Sequence, residues 1–184
     1  HVEQVVKKCR KLTFLFRILR SFLDENTLMT VYYALGQSVM EYGIIGWGGM
    51  SKTLLSPLER VQRSVLKVMR SKPFRYPTER LFAETGVLDI RQLYIKKIIL
   101  HLYKNTAPYQ SNYVLAHNTR NRQQLRPPGL STSFAQRYYC FLAPRIYNHV
   151  LPKIEKNISQ DGKNFGGLVV EWLKKTGRHC CGNG

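Results

Sequence analysis

Carboxylates are scarce in this chain of 184 residues: three aspartates and eight glutamates stand against 29 lysines and arginines. Asp24, Asp89 and Asp161 all fall at predicted helix starts or turns, where they read as caps or turn formers. The glutamates are scattered over helix faces. Two-metal phosphoryl transfer needs carboxylates converging on ions about 4 Å apart, and no clustered pair suggests such a site. The five histidines, His1, His101, His117, His149 and His179, stand apart from any nucleophile–base pattern. His101 is read as a core residue. Gly46, Gly48 and Gly49 match neither a GxxxxGK(S/T) loop nor a dinucleotide fingerprint. Catalysis by this chain alone is therefore not expected, and neither a small-molecule substrate nor a cofactor is assigned to it.

Cysteine spacing excludes more. Cys9, Cys140, Cys180 and Cys181 form no disulfide framework, which points to a reducing compartment. His179-Cys180-Cys181 lacks the second ligand pair that a zinc knuckle needs, so residues 177–184 read as a disordered tail. No run of about 18 apolar residues exists to span a bilayer, and no secretory signal is present. An intracellular protein, nuclear or cytoplasmic, is expected. The chain opens at His1 inside a helical pattern without an initiator Met, which implies a longer parent.

What the chain does have is a formal net charge of +18 on a folded-protein composition that is 43% hydrophobic. The charge is patterned. On a 100° projection of residues 53–70, Leu54, Leu58, Val61, Val65 and Val68 form an apolar stripe opposite Arg60, Arg63, Lys67 and Arg70. Residues 3–23 repeat this, with Val5, Cys9, Leu12, Phe16, Leu19 and Leu23 opposite Lys7, Arg10, Arg17 and Arg20. Four cations on one face repel one another, so a polyanion across them is the natural partner; the alternative is a solvated helix face.

The helical pattern continues along the chain. Asp24 caps a predicted helix over about 25–42, with Leu28, Val31, Tyr32, Leu35 and Val39 as its apolar positions. The glycine-rich segment 42–49 should end it. Ser51 or Thr53 caps the basic helix, and Pro57 falls in its first turns. A short helix from about Thr78 should stop at Gly86. Asp89 caps a longer helix to about Asn105, apolar nearly all round and predicted to be central and buried. Residues 107–133, with three prolines and Arg120, Arg122 and Arg126, read as an extended basic arm. Residues 134–151 suggest a short strand or hairpin plus a helical turn. There Tyr138, Tyr139 and Phe141 are read as core, with base stacking as the alternative. A last amphipathic helix covers about 163–176. The expected fold is mainly α, a bundle of about five to six helices with an extended arm and a short β-hairpin in the C-terminal third: a helical bundle over 1–106, the arm over 107–133, and a C-terminal aromatic segment with its helix over 134–176.

Several segments resemble one family in consecutive order. Glu41-Tyr42-Gly43-Ile44-Ile45-Gly46-Trp47-Gly48 looks like the (D/E)YG-x-x-x-WG segment that follows the palm of non-LTR, LINE-type retrotransposon reverse transcriptases, the jockey-like group above all. Val61-Gln62-Arg63-Ser64-Val65-Leu66-Lys67 resembles the family's LQ-x-x-x-L-(K/R) helix. Pro77-Thr78-Glu79-Arg80-Leu81-Phe82 with Gly86-Val87-Leu88 resembles its PT-x-x-LF-x-x-x-GIL step. His117-Asn118-Thr119-Arg120 is similar to its HNTR box. Pro144-Arg145-Ile146-Tyr147-Asn148 with Leu151-Pro152 is similar to its P-x-x-WN-x-LP box, with Tyr147 for Trp and one extra residue at His149-Val150. The likeness covers about 1–175.

The resemblance implies the thumb and post-thumb region of an RNA-directed DNA polymerase. The parent's palm aspartates, its Mg and its endonuclease would then lie upstream of this chain. The implied partners are RNA, DNA or an RNA–DNA hybrid, and the parent's own palm and fingers. Arg60, Arg63, Lys67 and Arg70 are the first candidates for backbone contact, then Lys7, Arg10, Arg17 and Arg20, then Arg120 and Arg122. Three other readings stay open: a basic helical module that docks on an acidic protein, a non-functional retroelement remnant, and an amphipathic helix pair on a membrane surface.

Overall fold

Alternating apolar and basic helical faces build a mainly helical molecule. The computed structural model describes residues 1–105, 124–155 and 164–176. Among these there is no strand, and no helix is long and apolar enough to cross a membrane. The chain forms two compact units, His1–Leu93 and Tyr94–Gly184.

The first unit opens with α1 (Val2–Leu19), which buries Val5, Val6, Cys9 and Phe16. Asp24 then caps α2 (Glu25–Val31) as expected, accepting from the N–H groups of Asn26 and Thr27 at 3.0 and 3.2 Å. The expected single helix to residue 42 is instead α2, a π-helical stretch (Tyr32–Gln37) and one turn, α3 (Ser38–Glu41). Its buried positions are Leu28, Tyr32, Gly36 and Met40, while Leu35 is exposed. The wider i→i+5 turns of the π stretch keep a strict four-residue spacing on one face, which regular helix would rotate away. Gly36 permits this, since a Cβ there would lie 3.1 Å from Tyr32 Cδ2.

The glycine-rich segment ends the helix at Glu41 but keeps a turn of its own, α4 (Ile44–Trp47). Burial of Ile44 and Trp47 outweighs poor propensity there, and Trp47 Nε1 donates to the Tyr42 carbonyl at 3.0 Å.

Helix α5 (Lys52–Met69) starts at Ser51 and buries Leu55, Leu58, Val61, Gln62, Val65, Leu66 and Met69. Its stripe is wider than expected and turned, so Leu54 is exposed and Val68 half-buried. The short helix α6 (Thr78–Thr85) stops at Gly86, whose φ of 62° suits only a residue without a Cβ. Asp89 starts α7 (Ile90–Lys104) through a reciprocal box: its Oδ1 accepts from Gln92 N at 2.9 Å, and Gln92 Oε1 accepts from Asp89 N at 3.0 Å. A cap of this kind contributes about 1 kcal/mol.

Two carboxylates of this unit titrate below their ordinary range. Hydrogen bonds from Thr27 hold Asp24 down, and the Tyr76 hydroxyl followed by Lys72 does the same for Glu84. A depressed carboxylate contributes stability that is present above its unfolded value, here 3.8 and 4.5, and lost as pH falls through the folded one. Thermal unfolding of the Asp24→Asn, Glu84→Gln double variant is expected to vary less between pH 6 and pH 3 than that of the parent. Equal pH dependence would remove both groups from the acid response.

The second unit takes up the rest of α7, where Tyr94, Ile95, Ile98, Ile99 and Leu102 are buried. His101 is exposed, not in the core, and meets Tyr139 edge to face at 5.8 Å. Within the arm, residues 124–133 lack helix and strand; Leu125 is buried, its N–H and carbonyl both paired with the Asn148 amide at 2.9 and 2.7 Å. The expected strand or hairpin over 134–151 is absent. A 3-10 turn (Ala135–Arg137) leads into α8 (Tyr139–Glu155), whose buried Ala143, Tyr147, Val150 and Ile154 recur at helical spacing. Helix α9 (Phe165–Thr176) buries Leu168, Val169 and Leu173.

Candidate nucleic-acid interface

Helical periodicity gives α1 and α5 one apolar and one basic side each, and packing the apolar sides decides where the cations stand. The two helices pack along their length and run parallel. Arg10 and Thr13 of α1 face Pro57, Arg60, Val61 and Ser64 of α5 across a shallow open groove of about 430 Å³. Farther along, Arg20 Nη1 donates to the Val68 carbonyl at 3.0 Å, closing the end of α5.

Arg10 and Arg60 therefore stand on opposite walls of one groove. Arg60 Nη2 donates to Ser56 Oγ at 2.9 Å. Arg17 lies one heptad beyond Arg10, and Lys67 one heptad beyond Arg60, about 10 Å along each axis. That distance is near the Debye length at 0.1 M salt, so the fields of the pairs add. Lys7, Arg10 and Arg17 are exposed and make no hydrogen bond or ion pair with any described residue; Arg63, half-buried, makes none either. Between Gln4 and Leu23 the sequence has six cations and no carboxylate. On α5 the one carboxylate, Glu59, lies 3.4 Å from Arg91 Nε.

Besides Arg20, two more of the expected contacts are engaged elsewhere. Arg70 pairs with Glu25, and Lys67 Nζ donates to the Phe74 carbonyl while lying 5.7 Å from that ring's centroid. Arg70 ties the end of α5 to the start of α2, and Lys67 holds the turn after α5. Arg120 and Arg122 lie outside the described residues; Arg126 is exposed. Thr13 and Ser64, the hydroxyl-bearing members of the groove, escaped the sequence reading. A single-helix projection carries no signal for them, because the groove exists only where two helices meet.

Burial pushes the Cys9 thiol up to about 11, so it is an inert core group at neutral pH. Among the described residues no group of three His, Cys, Asp or Glu could hold a metal ion. The paired arginines and hydroxyls are suited to holding phosphate oxygens. No protein-family model, curated protein or solved structure gives a significant match to this chain.

Proposed function

We propose that the first unit is a nucleic-acid grip that holds the sugar-phosphate backbone of a duplex along the α1–α5 groove, as the thumb of a LINE-type reverse transcriptase would. The observation that carries this reading is the pairing of Arg10 with Arg60 on facing walls, beside Lys7, Arg17 and Arg63, which pair with no carboxylate among the described residues. Contacts of this type set register and orientation without reading bases. Val5, Cys9 and Phe16 of α1 and Leu58, Val61 and Val65 of α5 are turned inward, which disfavours sinking these stripes into a membrane surface. Polymerisation under this reading belongs to the parent's palm. The described residues offer no set of ligands for its Mg, and no step of the reaction is assigned to them.

A second observation favours a protein contact beside the grip. Phe14, Ile18 and Phe22, four residues apart near the end of α1, are 66%, 43% and 80% exposed. Such a strip suits the rest of a parent polypeptide or a separate protein.

Fluorescence anisotropy with a labelled RNA–DNA hybrid across a salt series tests the grip. Saturable binding is expected, with log affinity falling against log salt at a slope of about −4 to −5 for four to six phosphate contacts. A folded chain that does not saturate at low salt would leave the protein-docking reading in its place.

A further inference from the structure

Of Tyr138, Tyr139 and Phe141, all expected in the core, Tyr138 is exposed and the other two are half-buried; Phe134 is exposed beside Tyr138. Phe134 is 67% exposed and Tyr138 52%, their rings edge to face at 5.4 Å. Tyr138 immediately precedes α8, its carbonyl accepting from the N–H groups of Phe141 and Leu142. From there Tyr138, Phe141, Arg145, His149 and Lys153 recur at three- and four-residue spacing, which keeps them on one helical face. That face is opposite the one that buries Ala143, Tyr147, Val150 and Ile154. Aromatic groups stand at its start and cations toward its end. The Arg145 guanidinium lies 5.2 Å from the Phe141 ring centroid, and Lys153 Nζ is 2.7 Å from His149 Nε2.

We propose that this face of α8, with Phe134, is a binding surface for single-stranded polynucleotide, separate from the duplex grip on α1 and α5. Exposed rings give unstacked bases a π-face, while Arg145 and Lys153 meet the backbone phosphates. A duplex keeps its bases inside its own stack and has nothing to offer Phe134 and Tyr138. Charge complementarity selects an anion: from Tyr94 to Ile154 the sequence has nine Lys or Arg and no Asp or Glu. The apolar side of α8 is packed inward, which leaves two exposed rings but no continuous apolar helix face for lipid.

The test uses the whole chain with fluorescein-labelled oligouridylate and oligothymidylate, each as single strand, beside the RNA–DNA hybrid. The Phe134→Ala, Tyr138→Ala double variant is expected to bind single strands about tenfold or more weakly and the hybrid as before. Phe134→Tyr with Tyr138→Phe keeps both rings and is expected to retain single-strand affinity. Both side chains are exposed, and helicity by circular dichroism verifies the fold. A preference between the two oligomers assigns the surface to RNA or to DNA. Unchanged single-strand binding, equal loss on strand and hybrid, or ring-dependent binding to anionic vesicles in place of oligonucleotides would each overturn the proposal. Failure of the duplex grip is read separately, from hybrid binding by the parent chain.

Discussion

Gln62→Ala is expected to destabilise the first unit by about 3 kcal/mol, read as a lower midpoint in urea or thermal unfolding. Gln62 is fully buried on α5, and its Nε2 donates to the Leu88 carbonyl at 2.9 Å and the Tyr32 hydroxyl at 3.2 Å. One amide thus ties α5 to the π-helical stretch and to the segment ahead of α7. Alanine leaves an acceptor without its donor in the core and opens a cavity; each effect costs on the order of 1–3 kcal/mol. Gln62→Leu refills the volume but not the hydrogen bonds, and an intermediate loss is expected. Burial raises the Tyr32 hydroxyl above its ordinary range, so that group stays protonated and the network is neutral at physiological pH. A double-mutant cycle with Tyr32→Phe isolates the shared bond. A Gln62→Ala variant within about 0.5 kcal/mol of the parent, the range of ordinary surface substitutions, would show that the amide does not brace the unit.

How much of this was legible beforehand depended on range. Local signals were read well: Asp24 and Asp89 as caps, Gly86 as a stop, and the existence of α1, α5, α7 and α9. Each rests on neighbours within a few residues, where capping chemistry and a 3.6-residue period suffice. The π stretch was not legible, because its evidence is a four-residue spacing of Leu28, Tyr32, Gly36 and Met40 that includes a glycine. The burial of Gln62 has no local signal, because it follows from the packing of α5 against the π-helical stretch and the segment ahead of α7. Aromatic density over 134–151 suggested a strand, yet Ala143, Tyr147, Val150 and Ile154 set a helical period, with Pro144 and Pro152 accommodated inside the helix. The cationic candidates on α1 and α5 were legible one helix at a time. Which of them face one another, and which are spent on Glu25 or the Phe74 carbonyl, is a property of tertiary packing alone.

That division has a consequence for binding. The Arg10→Ala, Arg60→Ala double variant is expected to weaken hybrid binding by about tenfold to a hundredfold, as two charge-assisted contacts are lost. The loss should be equal for unrelated sequences of the same length, and the salt slope should flatten by roughly two, at about 0.9 per phosphate contact. Both side chains line an open groove, so the fold should survive; no apolar surface is lost from the core. Lys67→Ala is the informative contrast. Its ammonium already meets the Phe74 carbonyl, so that variant should loosen the turn after α5, lowering stability more than affinity. Equilibrium binding at several salt concentrations, paired with unfolding curves for each variant, separates the two effects. If the double variant kept the parent's slope while Lys67→Ala flattened it, the backbone would run along the outer face of α5 and not in the groove between the helices.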